Sequence, residues 1–247
     1  MTDLLGYRKL IGIVVPSTNT SVQPECDNLR IPGVTNHIAR VTTPERKLTS
    51  EDAYQAHLQA MRQGIEPALD QVMTAQPDHV VMGVAIEAFY GGVAQADQFQ
   101  QSLATHCGVG VSMGSTAAVR ALRAFSASRI AVLTPHQPAG DEIVRHYLAD
   151  AGFEVVRLKG LRCASPRMIA HVEPAEIRAA LSELNGDDID AILQVGTNLA
   201  AGGVAAEAER WFAKPVLSMN VITYWDALRR LGVDDRIFGS GRILEEF

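Results

Sequence analysis

Glu87 is the most pointed of the residues that could move a proton. It follows the apolar run HVVMGVA (79–85) and stands next to Phe89 and Tyr90. A carboxyl kept from water there has its pKa raised and works as an acid or a base. On a helix facing solvent it is only a first-turn charge. His136, in the TPH that ends RIAVLTP (129–135), is either a general acid or a polar loop residue. Asn19 in PSTNTS (16–21) is crowded by Ser17, Thr18 and Thr20, where one helix cap would suffice, so a ligand is expected there as well as a cap. Thr197 and Asn198 in VGTNLAAGG (195–203) carry the same double reading. The three cysteines, Cys26, Cys107 and Cys163, are far apart and form no C-x-x-C, which excludes a zinc knuckle and suits a reducing cytoplasm. Cys163 follows a strand and could reach a cleft, but free cysteines are usually small buried hydrophobes.

These residues need elements to hold them. Short apolar runs recur at 10–16, 37–41, 79–85, 110–113, 129–135, 153–158, 190–196 and 215–219, the pattern of strands covered on both faces. Segments with helical spacing lie between them, which predicts parallel βαβ units. The expected fold is α/β: two pseudo-symmetric flavodoxin-like halves, each a four-stranded parallel sheet flanked by helices. VSMGSTAAVRALR (111–123) aligns without gaps on LSMNVITYWDALR (217–229), matching Ser112 with Ser218, Met113 with Met219 and Ala121-Leu122-Arg123 with Ala227-Leu228-Arg229. DHVVMGV (78–84) pairs likewise with DAILQVG (190–196). The chain therefore reads as a duplication, with halves at 1–125 and 126–221 and a C-terminal helical stretch, 222–247, packing back on the first half. In such sheets ligands bind beyond the carboxyl ends of the strands, so the site belongs in the cleft between the halves. The strand-end segments, VTTPER (41–46) among them, are rich in Ser, Thr, Asn and Gly, and helix N-termini there favour an anionic ligand of carboxylate size.

Composition removes other classes. Lys plus Arg number 22 against 28 Asp plus Glu, a net charge of -6 that argues against a nucleic-acid partner. The N-terminal apolar run is too short for a membrane span and stops at Pro16. No G-x-G-x-x-G or G-K-[ST] phosphate loop is present.

Taken together, PSTNT, MGVAIEAFYGG, TPH, VGTNL and the terminal GSGRILEEF resemble the aspartate/glutamate racemase superfamily, in its maleate cis-trans isomerase and arylmalonate decarboxylase branch. The resemblance implies a cofactor-independent, metal-free homo-oligomer that performs enolate chemistry on small carboxylates. It implies that Asn19, the backbone at Val84-Ala85 and Thr197-Asn198, and Ser115-Thr116 hold the substrate. The family's two cysteines match Val84-Ala85 and Gly196-Thr197, neither of which supplies a thiol, so Glu87 and Tyr90 become the substitutes, while His136 stands where the family shows a tyrosine after Thr-Pro and brings a group expected to titrate near neutrality. Isomerase or decarboxylase chemistry follows first. A hydrolase or hydratase, with Glu87 or His136 activating water against a lactone, cyclic amide or double bond, and a non-catalytic acid-binding protein are the alternatives.

Overall fold

A computed structural model describes residues 3–45, 47 and 51–247; Arg46 of the VTTPER segment lies outside them. Each of the eight apolar runs is a strand. The first half runs β1 (Lys9–Pro16), α1 (Val22–Asn28), β2 (Val34–Val41), α2 (Glu51–Met73), β3 (His79–Met82), α3 (Ile86–Phe89), α4 (Gly92–Cys107), β4 (Gly110–Met113) and α5 (Gly114–Ala124). The second runs β5 (Arg129–Thr134), α6 (Pro138–Asp150), β6 (Glu154–Gly160), a 3-10 turn (Arg167–His171), α7 (Pro174–Leu184), β7 (Ala191–Gln194), α8 (Gly202–Phe212), β8 (Val216–Ser218) and α9 (Met219–Arg230), with α10 (Arg242–Glu246) closing the chain. The sheets have the orders β2-β1-β3-β4 and β6-β5-β7-β8, all parallel, so one order is used twice.

The repeat reaches individual atoms. Asp78, just before β3, accepts a hydrogen bond at Oδ2 from the N–H of Leu10 at 2.7 Å. Asp190, its match before β7, accepts from the N–H of Arg129 at 2.8 Å. In each half an aspartate thus ties the start of the third strand to the first. Burial explains why the runs are apolar: Ile11, Ile13, Val14 and Val15 on β1 are shut off from solvent, and each such side chain contributes about 1.5–3 kcal/mol of transfer free energy.

The strands are shorter than the runs that announced them. β3 stops at Met82 because Gly83 makes one last bond, to the carbonyl of Val14 at 2.7 Å, before the chain turns away. Val84 to Glu87 are therefore loop and helix start, where the site is built. The long C-terminal helix α9 leaves the second sheet and packs against β3, β4, α1 and α5 of the first half. It lies close to α5 because Gly114 has no side chain, and a Cβ there would run into the sulfur of Met219. Among the described residues no helix is long and apolar enough to cross a membrane.

Candidate active site

A cavity of about 80 Å³ opens where the carboxyl ends of the two sheets face each other. From the first half, the β1–α1 loop contributes Pro16, Thr18 and Asn19, α2 contributes His57 and Leu58, and the β3–α3 turn contributes Ala85, Ile86 and Glu87. The second half adds His136 after β5, Pro166 and Ile169 before α7, and Gly196, Thr197 and Asn198 after β7. Paired loops of the duplication thus meet at one place, because the third strand of each sheet delivers its following turn to the interface.

Asn19, Thr197 and Asn198 lie in the cavity wall, yet their side chains are largely committed to each other. Asn19 Oδ1 accepts from the N–H groups of Ser21 and Val22, both at 3.0 Å, and so caps α1. Its Nδ2 donates to Thr197 Oγ1 at 3.2 Å, and Thr197 Oγ1 donates onward to the Gly83 carbonyl at 3.0 Å. Asn198 accepts from the N–H of Thr20 at 2.9 Å and donates to the Pro166 carbonyl at 2.8 Å. These bonds sew the two halves together. The sequence reading of Asn19 as more than a cap needs this refinement: its second partner in the structure is the opposite half. The free donors are on the main chain. Among the described residues, no acceptor receives the N–H of Ala85, Thr197 or Asn198.

Glu87, His57 and His136 are the titratable side chains among the described lining residues. Glu87 is only 7% exposed, and burial raises its carboxyl above the usual carboxylate range. Nε2 of His136 is buried and makes no hydrogen bond. Burial, and secondly the Arg162 guanidinium, push that imidazole down to about 3. The expectation of a histidine titrating near neutrality is thereby corrected: withdrawn from water, His136 is neutral at pH 7.

Other expected residues lie elsewhere. Tyr90 is turned out of the cavity into a groove with Gln55, Glu142 and His146, where Arg62 stacks on its ring at 4.8 Å. Thr116 Oγ1 donates to the Met113 carbonyl at 3.2 Å and faces a separate groove, and Ser115 is wholly buried on α5. Val84 is buried in the core beneath the turn. These four were placed at strand ends by resemblance, but the carboxyl end of β4 points toward α9 rather than into the cavity. No cysteine is among the described lining residues. Cys163 lies behind His136, its N–H bonded to the Pro135 carbonyl at 3.0 Å, and burial raises its thiol pKa.

His57, Leu58 and Ile169 were not anticipated. His57 sits inside a helical run, EDAYQAHLQAM, whose spacing shows an amphipathic helix but not which face meets the second half. Among the described residues no three His, Cys, Asp or Glu side chains are grouped so as to hold a metal ion.

Gly196 determines the shape of the second-half wall. Its φ is +127°, a region that disfavours side chains, and a Cβ there would come within 2.5 Å of Pro135 Cδ and 2.6 Å of Cγ. Gly196→Ala is expected to cost about 2–4 kcal/mol, combining backbone strain with overpacking. Urea denaturation reads this directly, and a loss below about 0.5 kcal/mol would mean that the turn relaxes freely.

The family model described as arylmalonate decarboxylase matches residues 11–244. Maleate isomerase from Nocardia farcinica is 26% identical over 251 residues, covering 98% of this chain and 97% of that one. Arylmalonate decarboxylase from Bordetella bronchiseptica is 26% identical over 172 residues, 67% of this chain and 70% of that protein. A solved structure of the Nocardia farcinica maleate cis-trans isomerase, a cysteine-to-serine mutant holding a covalently bound succinylcysteine intermediate, superposes with a TM-score of 0.87 at 25% identity, covering 97% of this chain and 99% of the other.

Proposed function

Because the chain belongs to the arylmalonate decarboxylase family, we propose that it is a cofactor-independent isomerase or carboxy-lyase that passes a small carboxylate through an enolate, with Glu87 and His136 carrying the protons. The observation that carries this reading is the convergence on one cavity of a buried carboxyl, a buried imidazole nitrogen without a partner, and three uncommitted main-chain N–H groups.

The N–H groups of Ala85, Thr197 and Asn198 receive the substrate carboxylate. When the adjacent carbon loses carbon dioxide, or gives its proton to the unprotonated form of Glu87 or His136, its electron pair moves onto that carboxylate, and donors already in position stabilise the added charge without reorganising. Leu58, Ile86, Pro166 and Ile169 keep water away and strengthen each of these interactions. A proton then returns to carbon from Glu87 or His136. Glu87 comes from the first half and His136 from the second, which allows delivery to either face of a planar intermediate.

In this reading the chemistry runs without a thiol. Supporting that, the described lining residues include none of the three cysteines, and Gly196, at one of the positions where the resemblance expects a cysteine, stands against Pro135 with no room for a Cβ. The structure of the relative holds a covalently bound succinylcysteine intermediate; in this reading Glu87 and His136 move protons and form no bond to the substrate carbon.

The test is incubation of purified protein, without added metal or cofactor, with maleate, alkyl- and arylmalonates and α-substituted monocarboxylates in D2O. The expected result is solvent deuterium at the carbon next to the carboxylate in at least one product or recovered substrate, seen by proton NMR. Absence of turnover and exchange across the panel removes the proposal, and hydrolysis of lactones without any exchange would replace the enolate with activated water.

A further inference from the structure

Neither Lys nor Arg is among the described residues that line the cavity. A carboxylate entering it leaves water for walls formed in part by Leu58, Ile86 and Ile169, and burying an anion is costly unless it is paired. Main-chain N–H groups offset part of that cost through hydrogen bonds but bring no net charge. Among the described lining residues, the groups that can become cations are the imidazoles of His57 and His136. His136 is held in place for this: its N–H donates to Thr134 Oγ1 at 3.1 Å, its carbonyl accepts from Arg162 Nη1 at 2.7 Å, and its Nε2 is buried in the cavity wall with no partner. We propose, building on the carboxylate site argued above, that the cavity takes up each carboxylate together with one proton from solvent, which goes to the His136 imidazole, so that anion and cation are buried as a pair.

The charged groups around His136 fit this arrangement. Behind it, on the segment after β6, Arg162 is paired with Asp141 of α6, which also receives the Thr134 hydroxyl. Across the cavity stand Glu87 of α3 and His57 of α2. Glu87 is the one carboxyl among the described lining residues, and burial favours its neutral form, which works against a pairing with His136 beforehand. In the empty cavity the imidazole is neutral, held down to about 3. A carboxylate against Nε2 favours the charged form and raises that value. Between the empty and occupied values one proton is consumed per carboxylate bound, so affinity falls about tenfold for each unit of rising pH. The imidazolium formed on binding also stands beside the substrate as the acid that a developing enolate needs.

Calorimetric titration with propionate and phenylacetate, in PIPES and in Tris at about pH 7, counts the protons from the dependence of the heat on the buffer. Wild type and Glu87→Gln are expected to take up about one proton per carboxylate, and His136→Gln none. Affinity in wild type should weaken about tenfold per pH unit, while His136→Gln binds with little pH dependence. Zero uptake by wild type, or unchanged uptake by His136→Gln, overturns the proposal. If His136→Gln does not fold, the imidazole nitrogen resonances of wild type decide: they move to the protonated position on adding propionate, and resonances that stay at the neutral position overturn it. Failure of both acids to bind removes the carboxylate site and this inference together; binding without proton uptake removes this inference alone.

Discussion

Glu87→Gln is expected to lower kcat by about 10²–10⁴-fold, with KM changed by less than about threefold. The split follows from the state of the resident side chain. Burial favours the uncharged carboxyl, and the Gln amide has nearly the same shape and the same zero charge, so the cavity keeps its form and its affinity. What disappears is the transferable proton. Stability should therefore move by no more than about 0.5 kcal/mol, and urea denaturation alongside steady-state kinetics separates loss of chemistry from loss of fold. A variant with wild-type kcat would remove Glu87 from the mechanism and leave His136 as the sole proton carrier proposed. A variant with raised KM and unchanged kcat would make Glu87 a binding group only.

Asp226→Ala is expected to destabilise the fold by about 2–4 kcal/mol. Asp226 lies on α9, 0% exposed, in the middle of a polar chain that crosses from the second half into the first. Its carboxylate receives the hydroxyl of Ser112 on β4 at 2.5 Å, and that hydroxyl is 2.8 Å from Nε2 of His79 on β3. Arg120 of α5 and Arg230 of α9 close it from outside, the latter at 2.7 Å, and Arg120 also lies 5.2 Å from the centre of the Trp225 ring. Removing the carboxylate leaves the buried hydroxyl of Ser112, which His79 contacts, without its acceptor and two guanidinium groups without their counter-charge. The guanidinium groups are about two-fifths exposed and regain water, which keeps the expected cost toward the lower part of the range for breaking a buried pair. The midpoint of urea denaturation measures it. A shift equivalent to less than 0.5 kcal/mol would mean that α9 is held by apolar packing alone.

The two variants mark the difference between what a linear pattern carries and what it does not. Glu87 could be singled out because a carboxylate directly after an apolar strand is conspicuous, and its burial is a local consequence of where β3 ends. Asp226 could not, since within WDALRR it reads as an ordinary helical acid; its weight comes from Ser112 and His79, more than a hundred residues earlier. Tyr90 and Thr116 show the same limit from the other side. Both stand near strand ends, but the direction a side chain takes after a strand depends on which helix packs against the turn.

The chain's sequence by itself determined the duplicated, doubly covered parallel sheets, because strand burial and βα alternation are written in local periodicity and in the shared SM and ALR. It also pointed to Asn19, Glu87, His136, Thr197 and Asn198 near strand ends, all of which line the cavity. Only the tertiary structure decided that Asn19, Thr197 and Asn198 spend their side chains on joining the halves, that the main-chain N–H groups of Ala85, Thr197 and Asn198 have no acceptor among the described residues, and that His57 lines the same cavity. It also decided the charge on His136. A pKa is set by the surroundings in three dimensions: withdrawal from water, and secondly the Arg162 guanidinium, turn a residue that titrates near neutrality in water into a neutral imidazole in the cavity wall.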